Sequence, residues 1–434
     1  MLWLVVLSVT FTASYGFANW VAAQRTHVPS VVFAWEHRIP FLPWTIIPYW
    51  SIDLFYALAL FLCADRCELQ THVRRVLTAQ AVAVACFLVF PLQLAVAKPA
   101  TDGIPGLLFD SLAGFDRPYN QAPSLHIALL VILWSFYSRH VPRRWHAFLH
   151  TWAFLIGASV LTTYQHHFID VPTGALLGLF CLWAWPDESE SPLRAAACTR
   201  DPKRRRLAAL YAAGALICTA AAILVGGWAL WLLWPAVSLI MVAANYGMLG
   251  AAGFQKRSDG RIPIATRFLL APYVIGAAIN ARLWTRGDAM TEIADDVWLG
   301  RLPLVARETT PRFATIIDLC AELPAARHAG RHIVLPALDL IPVSQSDLRR
   351  AAAAIERARR DGPVLVACAL GYGRSAAAVA AWLALTGRTP TAKAAISRVR
   401  KSRPKVAMSD STEPLHFRAP SPFRGKAGDG GMQP

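Results

Sequence analysis

Acidic side chains are scarce in this chain: 27 Asp and Glu stand against 43 Lys and Arg in 434 residues, a net charge of +16. A nucleic-acid binder can carry such an excess. Here much of it lies in short loops between apolar blocks, which fits membrane orientation and contact with anionic lipids better. Metal-site spacing is also lacking among the eight cysteines, since Cys63 and Cys67 have no second pair and no nearby histidines. Several cysteines lie inside apolar blocks, where the residue is usually a small hydrophobe. No internal repeat is present. No basic start precedes the first apolar run, which is also longer than a signal-peptide core.

What the chain has in abundance is apolar sequence. Hydrophobic residues make up 55% of it and concentrate before about residue 285. The blocks 2–23, 47–63, 76–97, 124–137, 148–163, 171–185, 207–225 and 228–249 read as eight membrane spans. Arg66, Arg74 and Arg75 follow the second block, and Arg139, Arg143 and Arg144 follow the fourth. Arg194, Arg200, Lys203, Arg204, Arg205 and Arg206 follow the sixth, and Lys256, Arg257 and Arg261 the eighth. The alternate loops are poorer in basic residues, so the positive-inside rule puts both chain ends in the cytoplasm. A cysteine beyond the last block then lies in a reducing compartment. The shorter apolar stretch 268–279, with Pro272 inside it, reads as an interfacial segment rather than a ninth span. The expected organisation is a membrane domain over 1–206, two further spans and a juxtamembrane linker over 207–289, a soluble α/β domain over 290–411, and a disordered Pro- and Gly-rich tail over 412–434.

Within the soluble part, Val364-Leu-Val-Ala reads as a buried strand and Ala376-Ala-Ala-Val-Ala-Ala-Trp-Leu as a helix. Between them lies Cys368-Ala-Leu-Gly371-Tyr-Gly373-Arg374-Ser375. A glycine-containing loop at a helix N-terminus forms an anion cradle from backbone N–H groups. Such a dipole and a neighbouring arginine favour the thiolate of a cysteine placed there, and the guanidinium can grip two phosphate oxygens. This Cys-x5-Arg-Ser loop resembles the active site of the protein tyrosine and dual-specificity phosphatase superfamily. Thr291-Glu-Ile-Ala-Asp-Asp-Val-Trp-Leu-Gly-Arg is similar to that family's opening strand region. The resemblance implies Cys368 as nucleophile, Arg374 with the loop N–H groups of Gly371 and Gly373 as the phosphate grip, and Ser375 as the sulfur's hydrogen-bond donor. It implies a general acid near Asp339, which lies 29 residues before Cys368. Asp347 competes for that role but sits at a helix start, where capping accounts for it. Asp318, at the end of an apolar strand, reads as structural. Two departures from the family stand out: Ala367 precedes the cysteine where histidine is usual, and the loop has no lysine. A phosphomonoester with one main anionic group is the expected substrate, and no metal or other cofactor is implied.

A second constellation lies in the apolar half. It comprises Asn120-Gln-Ala-Pro123-Ser124-Leu125-His126 and Gln165-His166-His167-Phe-Ile-Asp170. His166 and Asp170 are four apart, so on a helix they share a face and the carboxylate can fix the imidazole. Ionisable groups in membrane segments are functional candidates. These patches resemble the type 2 phosphatidic acid phosphatase superfamily, over roughly residues 80–185. The resemblance implies His166 as a phosphohistidine nucleophile, Asp170 as its orienting partner, His126 as the acid for the leaving group, and Ser124 and Lys98 as phosphate ligands. Ser159 matches the serine that opens the third motif, but Val160 stands where an arginine is expected. Pro91 occupies the first basic position of the first motif, which retains only Lys98-Pro99, with Arg117-Pro118 nearby. His167 reads as an interfacial histidine. Together the halves look like a bacterial-type fusion of a polytopic helical membrane domain with an α/β phosphatase domain in the inner membrane. The expected partners are the bilayer and a lipid phosphate or phosphoprotein substrate, not nucleic acid.

Overall fold

The computed structural model describes residues 2–114, 117–194, 196–308 and 313–408. The tail expected over 412–434 lies outside them. The chain forms two compact units that interleave in sequence. One comprises Met1–Cys198, Ala209–Ala243 and Ile264–Pro272; the other comprises Thr199–Ala208, Ala244–Pro263 and the chain from Tyr273 onward. Residues 244–263, read from the sequence as the end of the eighth span and the basic loop after it, thus cluster with the α/β unit.

The first unit is helical. Its main elements are α1 (Leu2–Ala23), α2 (Ile46–Leu62), α3 (Arg66–Val89), α4 (Gly103–Ala113), α5 (Leu125–His140), α6 (His146–Thr162) and α7 (Asp170–Ala184). The chain continues through α8 (Pro202–Val225), α9 (Leu233–Ala244), α10 (Ile264–Leu269) and α11 (Ala271–Trp284). Among the described residues, five helical stretches are long and apolar enough to cross a bilayer: Leu2–Ala23, Pro43–Leu62, Arg66–Val89, Pro202–Val225 and Gly227–Phe254. The eight-span expectation is met by length only that far, because α5, α6 and α7 have 16, 17 and 15 residues against the roughly 20 a bilayer asks of a helix.

Hydropathy misplaces one span. The apolar run 76–97 is helical only to Val89, and residues 91–100 are irregular. Pro91 cannot continue the backbone ladder and restrains the residue before it. The helix instead starts earlier, at Arg66, where the Asp65 carboxylate accepts the Glu68 N–H at 2.8 Å.

α5 is central to this unit. One side of it joins Ile46, Tyr49, Ile52, Ile156 and Val160 of α2 and α6; the other joins Ala79, Ala83, Phe87, Leu177 and Cys181 of α3 and α7. α7 approaches α5 at glycines. A Cβ on Gly178 would lie 2.7 Å from both the Ala128 carbonyl oxygen and Val131 Cβ.

The α/β unit holds β1 (Met290–Ala294), β2 (Val297–Arg301), β3 (Thr315–Cys320), β4 (Arg331–Ala337) and β5 (Val364–Cys368), with α12 (Gln345–Ala358), α13 (Arg374–Leu385) and α14 (Ala392–Ser402). The sheet order is β1-β2-β5-β3-β4. β1 and β2 form an antiparallel hairpin, and β2, β5, β3 and β4 run parallel. β3 and β5 are buried at every residue, as parallel strands covered on both faces must be. Val364, Val366, Ile317 and Leu299 face the core with Leu348, Ile355 and Trp382 from α12 and α13. Leu365, Ala367 and Ile316 face the other side with Ala281, and Val274, Ala277 and Ala278 pack against them. The stretch 268–279, read as interfacial, therefore lends its later residues to the sheet. The physical reason is that α12–α14 cover one apolar face and leave the second to be buried by α11.

Gly178→Val should drive α5 and α7 apart at a cost of about 1–3 kcal/mol. Thermal unfolding in detergent should show a lower midpoint than for Gly16→Val, where nothing lies within 4 Å of the new Cβ. Equal midpoints would contradict this packing.

Candidate active site

β5 ends at Cys368 and α13 begins at Arg374, so the Cys-x5-Arg loop spans the gap between a buried strand and a helix N-terminus. The sulfur is 3% exposed with its residue and accepts two hydrogen bonds, from the Gly371 N–H at 3.3 Å and the Ser375 hydroxyl at 3.1 Å. Two donors aimed at one sulfur suit a thiolate and a departing sulfur alike. Gly371 has φ +78° and lies against the β2 backbone; a Cβ there would come within 2.4 Å of the Gly300 carbonyl carbon. Only glycine satisfies both demands. Gly373 is the N-cap of α13. Arg403, buried beneath the loop, donates to the Leu370 carbonyl at 3.4 Å and stacks over the Tyr372 ring at 4.8 Å. Its other bonds tie it to Asp288 and to the Leu299 carbonyl.

Arg374 is buried and held by two acids. Glu322 takes it in a fork, at 2.8 Å from one terminal nitrogen and 2.6 Å from the other. The Asp339 carboxylate lies 2.9 Å from the second of these nitrogens, and the Ala337 carbonyl accepts from the first at 2.8 Å. The guanidinium Nε–H is buried with no hydrogen-bond partner among the described residues. A buried unsatisfied donor costs about 1–3 kcal/mol, and a phosphate oxygen in the loop would satisfy it.

The two acids differ electrostatically. Burial pushes the Glu322 carboxyl up, but the Arg374 fork more than offsets that and holds it below the usual range. For Asp339 burial wins: desolvation raises it, Arg374 only partly opposes this, and the Glu322 charge adds to the rise. The two carboxyls are thus pushed in opposite directions, Glu322 down by the Arg374 fork and Asp339 up by desolvation.

Asp339 thus meets Arg374, while Gly371 and Ser375 meet the Cys368 sulfur and Gly373 caps the helix that Arg374 opens. Asp347 is exposed at the start of α12; its N–H donates to the Ser344 hydroxyl at 3.1 Å, and that hydroxyl donates to its carboxylate at 2.7 Å. Asp318 is fully buried, paired with Lys256 at 2.5 Å and His332 at 3.2 Å. Glu322 was not singled out from the sequence. Its one signal is an acid two residues past a strand with no exposed position.

In the helical unit, Ser124, His166 and Asp170 form one hydrogen-bonded chain. Ser124 Oγ lies 3.1 Å from His166 Nε2, and His166 Nδ1 lies 3.2 Å from Asp170 Oδ2. Asp170 also accepts the His167 N–H at 2.9 Å. Ser124 caps α5 by accepting the Ile127 N–H, and its own N–H donates to the Asp170 carbonyl at 3.1 Å. The His126 ring stacks on Tyr49 with centroids 4.2 Å apart, and its Nε2 is buried without a hydrogen-bond partner among the described residues. Lys98 is exposed on the irregular stretch after α3. Ser159 spends its hydroxyl proton on the Ile156 carbonyl inside α6. His167, read as interfacial, is buried within the protein: it accepts the Ala95 N–H at 3.0 Å and meets the Glu36 carboxylate at 3.3 Å. That carboxylate had no partner assigned from the sequence, and burying it requires one.

No family model and no curated protein matches the chain. Among solved structures, human DUSP28 is 24% identical, over 28% of this chain and 84% of that one, with a TM-score of 0.24. Tk-PTP in its active form is 27% identical, over 27% of this chain and 87% of that one, with a TM-score of 0.24. PTPMT1, solved in complex with PI(5)P, is 19% identical, over 29% of this chain and 89% of that one, with a TM-score of 0.25. These structures are of the dual-specificity and tyrosine phosphatase type.

Asp339→Asn should lower kcat by about 100-fold, the low end for loss of a general acid. A general-acid role for Asp339 predicts that wild-type kcat falls as pH rises through the raised Asp339 pKa. A kcat–pH profile of the variant should lose that basic limb; an unchanged limb would assign the proton to another group.

Proposed function

We propose that this protein is a membrane phosphatase that hydrolyses phosphomonoesters through a cysteinyl-phosphate intermediate on Cys368. The observation that carries this reading is the convergence on one loop of a doubly hydrogen-bonded Cys368 sulfur, an Arg374 with an unspent buried donor, and an Asp339 poised to give a proton.

In the first step the Cys368 thiolate attacks phosphorus as the bond from phosphorus to the ester oxygen breaks. Asp339 transfers its proton to that oxygen, which leaves as an alcohol. Arg374 and the loop N–H groups stabilise the equatorial oxygens. In the second step the Asp339 carboxylate takes a proton from water, the water oxygen attacks phosphorus, and the sulfur–phosphorus bond breaks. Ser375 donates its hydroxyl to the departing thiolate, and inorganic phosphate leaves.

The substrate we favour is a lipid-linked phosphomonoester. Among the described residues five helical stretches are long and apolar enough to cross a bilayer, and tethering raises the effective concentration of a site at lipid head groups. Within the loop Arg374 is the sole basic residue, which suits a single phosphate better than a polyphosphate. The loop charges favour a cytoplasmic position for Cys368 and, with the fusion resemblance, an inner-membrane location. The runner-up is a membrane-anchored phosphotyrosine or dual-specificity protein phosphatase.

The Ser124–His166–Asp170 chain of hydrogen bonds supports a second reading, a phosphohistidine site in the helical unit. Asp170 holds Nδ1 of His166, which leaves Nε2 as the attacking nitrogen beside Ser124. The two sites separate by mutation. Phosphate release from lipid phosphomonoesters and from a phosphotyrosine peptide should be measured for wild type, Cys368→Ser and His166→Ala. The lipid turnover should vanish in Cys368→Ser. Loss only in His166→Ala would move the chemistry to the helical unit, and preferred turnover of the peptide would favour the protein phosphatase.

A further inference from the structure

Each acid that grips Arg374 sits on a loop, and each loop is itself held by residues 244–263. This segment continues the chain from α9 and belongs to the α/β unit. It opens as a turn of π-helix, Asn245–Leu249. Tyr246 within it is 1% exposed, and its hydroxyl donates to the Asp339 carbonyl at 3.0 Å. The turn is braced in its own right. Arg204 Nε donates to the Tyr246 carbonyl at 3.0 Å, and the Thr199 N–H donates to the Gly247 carbonyl at 2.8 Å. Leu340, next to Asp339, has φ +59°. A non-glycine residue there costs free energy and persists only where its surroundings enforce it.

Further along, the Lys256 ammonium is completely buried. It donates to the Cys320 carbonyl at 2.6 Å and the Leu323 carbonyl at 2.7 Å, and pairs with Asp318 at 2.5 Å. Its two carbonyl partners flank Glu322. Three acceptors match the three protons of an ammonium. A buried ammonium is tolerated only when fully satisfied, so it enforces the loop shape that satisfies it. The segment closes on the same loop again where the Ala325 N–H donates to the Gly260 carbonyl at 2.8 Å.

We infer that Tyr246 and Lys256 are positioning residues for the phosphatase reaction: Tyr246 aims the general acid through the Asp339 backbone, and Lys256 aims Arg374 through the loop that carries Glu322. The inference rests on the Cys368 reading above. It makes the catalytic geometry depend on the segment that continues from the last apolar helix, not on the chain after Met290 alone.

The test uses the full-length protein in detergent with two aryl phosphates, phenyl phosphate as the poor leaving group and 4-nitrophenyl phosphate as the good one. Tyr246→Phe removes one oxygen. Loss of a hydrogen bond that aims the acid should lower kcat/KM for phenyl phosphate by about 3- to 10-fold, and leave 4-nitrophenyl phosphate within about twofold, since that ester needs little protonation to leave. Equal losses on both esters, or no loss on either, would overturn the role of Tyr246. For Lys256, the pair Lys256→Met with Asp318→Asn removes both charges, so that neither is left buried alone. It should weaken competitive inhibition by inorganic phosphate about 10-fold, while Lys256→Arg retains more of the inhibition than the pair does. Unchanged inhibition by phosphate in the pair variant would overturn the role of Lys256. Should the pair variant aggregate, Lys256→Met alone, read by the same inhibition with inorganic phosphate, decides the role of Lys256. Wild-type turnover that Cys368→Ser abolishes but Tyr246→Phe leaves untouched on both esters sinks this inference only. A wild type that turns over neither ester sinks the Cys368 reading with it.

Discussion

The α/β unit is organised around one buried cation. The Arg374 guanidinium lies where the Cys-x5-Arg loop meets α13, with almost no exposure. An unpaired charge there would be prohibitive. Glu322 neutralises it in a fork and stays ionised; Asp339 leans on it and is driven the other way by burial. The Arg374 Nε–H is buried with no hydrogen-bond partner among the described residues. The electrostatic split between the two acids, the loop conformation that only Gly371 allows, and the reach of Tyr246 and Lys256 all follow from placing that cation.

The helical unit solves a related problem with neutral and acidic groups. Asp170 takes the His166 ring and the His167 N–H on one carboxylate oxygen, its other oxygen being buried without a partner among the described residues, and Glu36 is held by the His167 ring and by the backbone N–H groups of Phe33 and Phe168. The same bonds that keep these carboxylates tolerable in an apolar setting orient His166 toward Ser124. Stability and candidate chemistry therefore share residues, and few cations take part. That scarcity suits a site with a modest grip on phosphate, in contrast to the forked arginine of the α/β unit.

Much of the Cys368 site is legible in the sequence because its chemistry is local. Strand, glycine loop and helix succeed one another within about 20 residues, and the burial of β5 at every position follows from the unbroken apolar run Val364-Leu-Val-Ala. Asp339 was reachable by its separation from Cys368. Glu322 was not, since it meets Arg374 across 52 residues and no local periodicity marks such a pair. The same holds for Tyr246 and Lys256, which read as parts of an apolar span and a basic loop. Hydropathy placed α1 and α2 closely but carried the third apolar run past Val89, because it counts apolar residues and does not see that Pro91 ends the hydrogen-bond ladder. The stretch 268–279, read as membrane interface, packs Val274, Ala277 and Ala278 against the sheet while Phe268, Ile275 and Ile279 stay exposed, and hydropathy alone does not separate those two faces.

The most direct test of the central claim is to find the phosphoryl group. The protein would be mixed with a lipid phosphomonoester, quenched within the first turnover at neutral pH, digested, and mapped by mass spectrometry. The account predicts a phosphoryl group on the peptide that contains Cys368, absent when that residue is serine. A phosphoryl group on the His166 peptide, with none on Cys368, would contradict it.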